Sequence, residues 1–185
     1  FGVVTDDPAQ LEAAFIRAAQ AADAVITSGG VSVGEADYTK EILSRLGEVR
    51  FWKVAMKPGR PLAFGRIDGA WFFGLPGNPV SVMVTFYEFV RPALEKLMGT
   101  TPRLPWTTPA KVTHALKKRP GRVEFQRGFL HQATDGARCV TPTGDQGSGI
   151  LSSMSQANCF IVLPLDTAGV EAGAIVDVQP FDGLL

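Results

Sequence analysis

The stretch Thr27–Asp37, T-S-G-G-V-S-V-G-E-A-D, constrains the fold more than any other. The apolar run Ala24-Val25-Ile26 leads into it, and Tyr38-Thr39-Lys40-Glu41-Ile42-Leu43 continues it as a helix. A buried strand, a glycine-rich loop and a helix start together hold anions. Glycine lets the backbone approach a ligand, and free N–H groups at a helix start face negative charge. Gly29, Gly30 and Gly34 also suit an ordinary turn, and short glycine motifs recur by chance. Glu35 and Asp37 favour the anion reading, because carboxylates beside an anion site imply a cation shared between protein and phosphate.

Upstream, Asp7 reads as a helix cap, with Pro8 at the first helical position and Gln10 three residues after the cap. Leu11, Ala14, Phe15, Ala18, Ala19 and Ala22 recur at helical spacing. Before that helix, Val3-Val4 has strand character. Downstream, the second helix should run to Leu46 and stop at Gly47. Val49–Met56 reads as a strand. Leu62–Phe64 and Ala70–Leu75 follow, joined through Ile67-Asp68-Gly69, where Asp-Gly signals a hairpin. After Pro76-Gly77-Asn78-Pro79, a long helix is expected from Val80 to Met98, with Val82, Phe86, Phe89, Val90, Ala93, Leu94 and Leu97 facing inward and Gly99 ending it. Strands alternating with helices imply a three-layer α/β unit with a mainly parallel sheet.

The pattern changes at Thr100. Residues 100–109 carry three prolines and no periodicity, as a linker would. Beyond it come short strands, at Ala110–Leu116, Val123–Leu130, Arg138–Thr141, Cys159–Leu163 and Ala174–Val178, with one helical stretch at Ile150–Ala157. The expected organisation is thus an α/β domain over 1–99, a linker over 100–109, and a small all-β barrel over 110–185.

Composition excludes several classes. Lysine plus arginine equals aspartate plus glutamate at 18 each, so no field of one sign draws in nucleic acid or a membrane. No apolar run approaches the roughly 20 residues of a membrane helix. The two cysteines, Cys139 and Cys159, lie far apart in apolar settings, which fits a reducing cytosol rather than a disulfide scaffold. His114 and His131 lack metal-ligand spacing. The chain opens on Phe1 inside a strand-like run, as a piece of a longer protein would.

Several motifs in order carry a resemblance: S-G-G-V-S-V-G-E-A-D-Y at Ser28–Tyr38, K-x-x-x-K-P-G at Lys53–Gly59, G-L-P-G-N-P at Gly74–Pro79, P-G-R-V-E-F-Q-R-G at Pro120–Gly128 and G-D-Q-G-S at Gly144–Ser148. Together they resemble the molybdopterin molybdenumtransferase family, which includes the bacterial MoeA proteins and the E domain of gephyrin. The resemblance implies a molybdopterin-binding α/β domain followed by a β-barrel, in a cytoplasmic homodimer. It implies insertion of molybdate into adenylylated molybdopterin with Mg²⁺ and release of AMP, downstream of an adenylyltransferase. Full members carry further N-terminal domains and an opening strand whose glutamate belongs to the active site, so this piece is expected to fold but not to complete catalysis alone.

The chemistry of individual residues runs beside that resemblance. Asp37 and Asp6 are candidate helix caps. They also lie at carboxyl ends of strands, where such sheets bind ligands, and two carboxylates there can share Mg²⁺ with phosphate oxygens. The resemblance makes both active-site aspartates. Lys53 and Lys57 share one face of an extended segment, either as a solvated edge or, with Arg60, as an oxyanion site. The resemblance places both in the substrate site. An exposed Lys57 should cost little stability when removed, usually within about 0.5 kcal/mol. Pro76, Gly77, Asn78 and Pro79 form a rigid loop before the long helix, whose start can offer N–H groups to an anion. With Ser28, Gly29, Gly30, Ser32, Gly34 and Glu35 they shape the pocket by resemblance. Arg127 shares an alternation face with Val123, Phe125 and Phe129, and must find an internal partner or reach the surface. The resemblance adds Arg127 and Ser148 to the substrate pocket.

Two other functions fit parts of the pattern. A scaffold of the gephyrin kind would bind receptor tails through exposed apolar surface. A nicotinamide-nucleotide amidase shares the α/β domain but carries a different glycine loop and no barrel with F-Q-R-G.

Overall fold

A computed structural model of the chain describes residues 1–31, 36–103 and 105–181, the side chains of 36 and 37 excepted. The chain forms two compact units: Phe1–Val54 with Gly59–Asn78, and Ala55–Pro58 with Pro79–Leu185.

In the first unit, α1 (Pro8–Ala21) starts where expected: Asp7 Oδ1 accepts the Gln10 N–H at 2.8 Å, and Pro8 takes the first position. Its buried face is Ala14, Phe15, Ala18 and Ala19, matching the helical spacing. Then come β1 (Ala24–Ser28), α2 (Ala36–Leu46), β2 (Gly47–Lys53), β4 (Pro61–Ile67) and β5 (Ala70–Leu75), with the short β3 (Met56–Lys57) belonging to the second unit. The sheet order is β1-β5-β4-β2. One face of this sheet, Val25, Ala63, Ile67 and Phe72, packs with Phe15, Ile42 and Leu43 in a single core. The Phe15 and Phe72 rings meet edge-on at 5.6 Å.

The α/β class is as expected, but the sheet is mixed rather than mainly parallel. β1 and β5 run parallel, while β5–β4 and β4–β2 are antiparallel. The Asp68-Gly69 turn forces the first antiparallel pairing, with both residues at positive φ, 44° and 85°. The continuous strand Val49–Met56 is also not found. β2 begins directly at Gly47 and ends at Lys53, and Met56-Lys57 pairs instead with Val123-Glu124 in the other unit. Val3-Val4 forms no strand; Val3 is fully exposed. Alternation and β-branching describe a strand's surface but not its partner, and pairing decides whether the strand forms.

The second unit opens with the expected helical span, broken in the middle. α3 (Pro79–Thr85) passes into a π-helical turn at Phe86–Val90 and then α4 (Arg91–Leu97). The π turn resets the phase of the inward face. Val80, Ser81, Val84, Thr85 and Val90 are buried, whereas Phe89 and Leu97, expected inside, are exposed.

The strands β6 (Thr108–Val112), β7 (Val123–Gln132), β8 (Arg138–Pro142), β9 (Cys159–Leu163) and β10 (Ile175–Pro180) close into a barrel, with α5 (Ser152–Ser155) between β8 and β9. The order β7-β8-β6-β10-β9 returns to β7, and β3 adds to the outside edge at Val123. Val112, Val140, Ile161, Leu163, Val176 and Val178 fill the interior. The first strand ends at Val112, short of the expected Leu116, which instead makes a single bridge to Val170. The alternation expected along β7 is absent in its middle: Glu124 to Gly128 are all buried. Phe129, assigned to the face of Arg127, is 49% exposed, while Arg127 is 1% exposed. Cys139 and Cys159 are free thiols; burial pushes the Cys159 thiol up to about 12, leaving it un-ionised and inert.

Candidate functional site

In the first unit, the candidate residues converge after the two parallel strands. β1 runs into Ser28-Gly29-Gly30 and β5 into Pro76-Gly77-Asn78. The Gly29 N–H donates to the Leu75 carbonyl at 3.0 Å, extending the ladder one residue past Ser28 and tying the loops together. That amide is therefore engaged and not an anion donor. A Cβ on Gly77 would stand 3.7 Å from Gly29 Cα, so the loops run backbone to backbone.

Two glycines are needed for more than the turn. Gly30 has φ +71°, and a Cβ there would press on the buried Thr39 hydroxyl at 3.3 Å. Gly74 lies under the loop: a Cβ would meet Val31 Cγ1 at 2.7 Å and Ala63 Cβ at 3.0 Å. Its bare surface lets Val31, 5% exposed, pack into the sheet and hold the loop down. Ser32, Gly34 and Glu35 lie outside the described residues, as does the Asp37 side chain, though Asp37 stands in the first turn of α2.

The paired aspartates at residues 6 and 7 divide their roles. Asp7 takes the helix cap, and Asp6, exposed, makes no hydrogen bond or ion pair among the described residues. Its carboxylate is a free hard-oxygen donor, the type that suits Mg²⁺. Among the described residues no group of three or more His, Cys, Asp or Glu side chains could hold a metal.

Lys53 and Lys57, expected on one face of one strand, stand in different sheets: Lys53 ends β2, and Lys57 ends β3. Lys57 Nζ lies 3.3 Å from Oε1 of Glu124, whose side chain is only 4% exposed. Glu124 Oε2 accepts a further hydrogen bond from Gln126 Nε2 at 3.0 Å. The Lys57 side chain is itself 46% exposed, so it caps a buried carboxylate while keeping a wet face.

Arg127 does not snorkel. Its Nε donates to Ser153 Oγ at 2.9 Å and its Nη2 to the Gly147 carbonyl at 3.0 Å. Burial pulls the guanidinium pKa down, and the nearby Asp145 carboxylate partly offsets this. The main chain at the same residue is held by Gln146. Its Oε1 accepts the Arg127 N–H at 2.7 Å, and its Nε2 donates to the Arg127 carbonyl at 3.1 Å. Gln146 thus acts as a substitute strand residue, continuing the β7–β8 ladder beyond Pro142. Asp145 Oδ1 accepts the Gly147 N–H at 3.0 Å. The Ser148 carbonyl accepts the Val80 N–H at 3.2 Å, so that amide at the start of α3, expected to face an anion, is already used.

The structure therefore brings the Ser28-Gly29-Gly30 and Pro76-Gly77-Asn78 loops side by side, and ties the loop carrying Ser148 to Arg127 at Gly147. Sequence reasoning missed Gln146, Ser153 and Glu124. The motifs G-D-Q-G-S and V-E-F-Q-R-G contain the first and last, but Ser153, in an unremarkable S-S-M-S turn, carries no signal.

Comparison with known proteins now bears on this geometry. Residues 1–96 match the family described as the probable molybdopterin binding domain. Residues 109–181 match the MoeA C-terminal region, domain IV. The chain belongs to the molybdopterin molybdenumtransferase family. It is 50% identical to the molybdopterin molybdenumtransferase of Haemophilus influenzae over all of its own length and 46% of that protein's. The corresponding protein of Nostoc is 36% identical, over 94% of this chain and 41% of the relative. Gephyrin of Dictyostelium discoideum is 35% identical, over 95% and 28%. Among solved structures, the molybdopterin biosynthesis MoeA protein of Pyrococcus horikoshii superposes with a TM-score of 0.77 at 30% identity, over 97% of this chain and 42% of that one. The chain spans about half the length of the Haemophilus relative or less of the others it matches. Membership fits the two units described above, a mixed α/β sheet and a small β-barrel.

Proposed function

We propose that this chain supplies the pterin-nucleotide pocket and the barrel of an enzyme that inserts molybdate into adenylylated molybdopterin and releases AMP. The observation that carries the reading is the pair of backbone-lined loops after β1 and β5, locked by the Gly29–Leu75 hydrogen bond, in a chain whose whole length resembles that family. On this reading residues 1–99 form the molybdopterin-binding domain, 100–109 a linker and 110–185 the barrel.

On this reading Ser28, Gly30, Ser32 and Gly34 serve the phosphates with backbone and hydroxyl groups, while Gly29, its N–H held by Leu75, offers only the close approach that a missing Cβ allows. Pro76, Gly77, Asn78 and Pro79 form the opposite wall. The resemblance assigns Lys53 and Lys57 to the oxyanion as point charges, Lys57 through the exposed part of a side chain already paired with Glu124. Asp6 and Asp37 would hold Mg²⁺, and the resemblance assigns Glu35 to the same pocket; when bound, the ion supplies charge neutralisation at the phosphates. Arg127 orients the loop bearing Ser148 rather than reaching substrate through its guanidinium, which is committed to Ser153 and Gly147. The adenylylated substrate requires an adenylyltransferase upstream, and the enzyme works as a cytoplasmic homodimer.

The test has two arms. Binding of adenylylated molybdopterin is titrated to the chain, and molybdate-dependent AMP release is followed for the chain alone and fused behind the N-terminal half of the Haemophilus relative. Binding by the chain with turnover only in the fusion is the expected result. No binding of the pterin nucleotide to either form would overturn the reading.

A further inference from the structure

The barrel unit carries a cavity of about 540 Å³. Lys57, the segment Ala115–Arg119, Arg122, Glu124 and Ala168–Glu171 line it. Much of its charge is already committed. Lys57 neutralises Glu124 at 3.3 Å. Lys118 is 7% exposed, and its ammonium donates to the carbonyls of Arg119, Leu165 and Thr167 at 3.3, 3.1 and 2.9 Å. Lys118 is therefore part of the frame.

Lys117, Arg119 and Arg122 remain. All three are exposed, and none has a carboxylate within ion-pair distance among the described residues. Glu171 is the remaining acidic group in the lining. In a chain with equal numbers of acidic and basic residues this is a local excess of positive charge. The backbone that carries it is rigidly tied. Gln126 Nε2 donates to the Lys117 carbonyl at 3.0 Å, and the Gly121 N–H to Leu165 at 2.9 Å. Leu116 and Val170 exchange two backbone hydrogen bonds, at 2.7 and 3.0 Å. Three like charges lining one cavity favour a ligand of opposite charge, and the tied backbone lowers the cost of ordering the segment that carries them. Guanidinium forks and an ammonium are the groups that bind phosphate oxygens, the forks bidentately. The volume lies within the range of small-ligand sites, well beyond that of a single oxyanion.

We propose that this cavity binds the diphosphate group of a small molecule, either free pyrophosphate or a nucleoside diphosphate. The proposal does not rest on the molybdopterin reading: Lys57 is shared with it but is already paired here.

Calorimetric titration of the chain with inorganic pyrophosphate and with ADP tests it, with sulfate at matched ionic strength as comparator. Arg119→Ala/Arg122→Ala, both exposed positions, should keep the wild-type melt and weaken pyrophosphate by about tenfold or more, the size of one to two lost charge-assisted bonds. Lys111→Ala, an exposed lysine on β6 outside the lining, should change binding less than about twofold. Weakening of both probes to the same degree supports the diphosphate site, and a tighter ADP than pyrophosphate assigns it to a nucleotide. An absence of pyrophosphate binding, an unchanged affinity in the double variant, or sulfate held equally tightly would each overturn the proposal. ADP retained by the double variant while pyrophosphate is lost assigns ADP to another site and leaves the diphosphate cavity supported.

Discussion

Replacing Arg127 with methionine isolates what its guanidinium does. Methionine keeps much of the buried volume and leaves the residue's main-chain bonds to Gln146 intact. The loss is two charge-assisted hydrogen bonds, to Ser153 Oγ and the Gly147 carbonyl. Each contributes about 1.5–3 kcal/mol, a gross loss of roughly 3–6 kcal/mol. Removing a charge that was costly to desolvate returns part of this, so we expect a net destabilisation of about 2–4 kcal/mol. Ser153 Oγ still donates to Ile150, whereas the Gly147 carbonyl loses its guanidinium, so the damage should centre on residues 144–149. Native-state hydrogen exchange reads both quantities: the opening free energy of β7–β8 amides and the protection of the loop. Arg127→Lys should recover less than half, because an ammonium cannot serve two fixed acceptors as a fork does. Ser153→Ala alone should cost about 1 kcal/mol and couple to Arg127→Met in a double-mutant cycle. A loss below about 1 kcal/mol with unchanged exchange across the loop would refute the claim that Arg127 is a clamp.

Lys57→Ala should destabilise by about 1–2 kcal/mol in a denaturant melt, more than a surface lysine, because it strips a buried carboxylate of its cation; half-exposure keeps the figure below that of a fully buried pair. Glu88 should titrate against stability. Burial raises its carboxyl pKa above the ordinary 4.5, with the Gln179 hydrogen bond opposing. The folded state then holds its proton longer than the unfolded state does, so this contribution is present below pH 4.5 and is lost as pH rises through the folded value. Glu88→Gln should abolish that fall and melt higher at pH 7. Gly74→Ala should displace Val31 and loosen the glycine loop, lowering stability by about 1–3 kcal/mol and weakening pterin-nucleotide binding in the same titration. Asp37→Asn should melt within about 1 kcal/mol of the parent, since residue 37 lies in the first turn of α2 and loses only a carboxylate's interaction with the helix dipole, yet lose molybdate-dependent AMP release in the fused form.

Local chemistry was legible where one residue decides one outcome. Asp7-Pro8 set the start of α1, Asp68-Gly69 the β4–β5 hairpin, and the short apolar runs after Thr108 the barrel strands. Failures occurred where a distant partner decides. The strand read over 49–56 stops at Lys53 because Met56-Lys57 finds β7, and nothing in its own alternation says so. The inward face of residues 80–98 slipped because one π turn breaks the 3.6-residue period. Arg127 was recognised as a charge that needs a partner, but which partner depended on Ser153 and Gly147, which have no distinctive sequence context.

Two residues of β3 tie the history of one half of the chain to the other. Met56 and Lys57 leave the ribosome with the first unit, but their pairing partners, Val123 and Glu124, are synthesised 67 residues later. At roughly 5–20 residues per second the nascent chain carries this unmatched edge for several seconds. The segment interrupts the first unit at Val54 and returns to it at Gly59, so no single cut in the gene releases either half whole. A barrel transplanted from residue 110 onward would therefore arrive with the Val123-Glu124 edge of β7 unpaired.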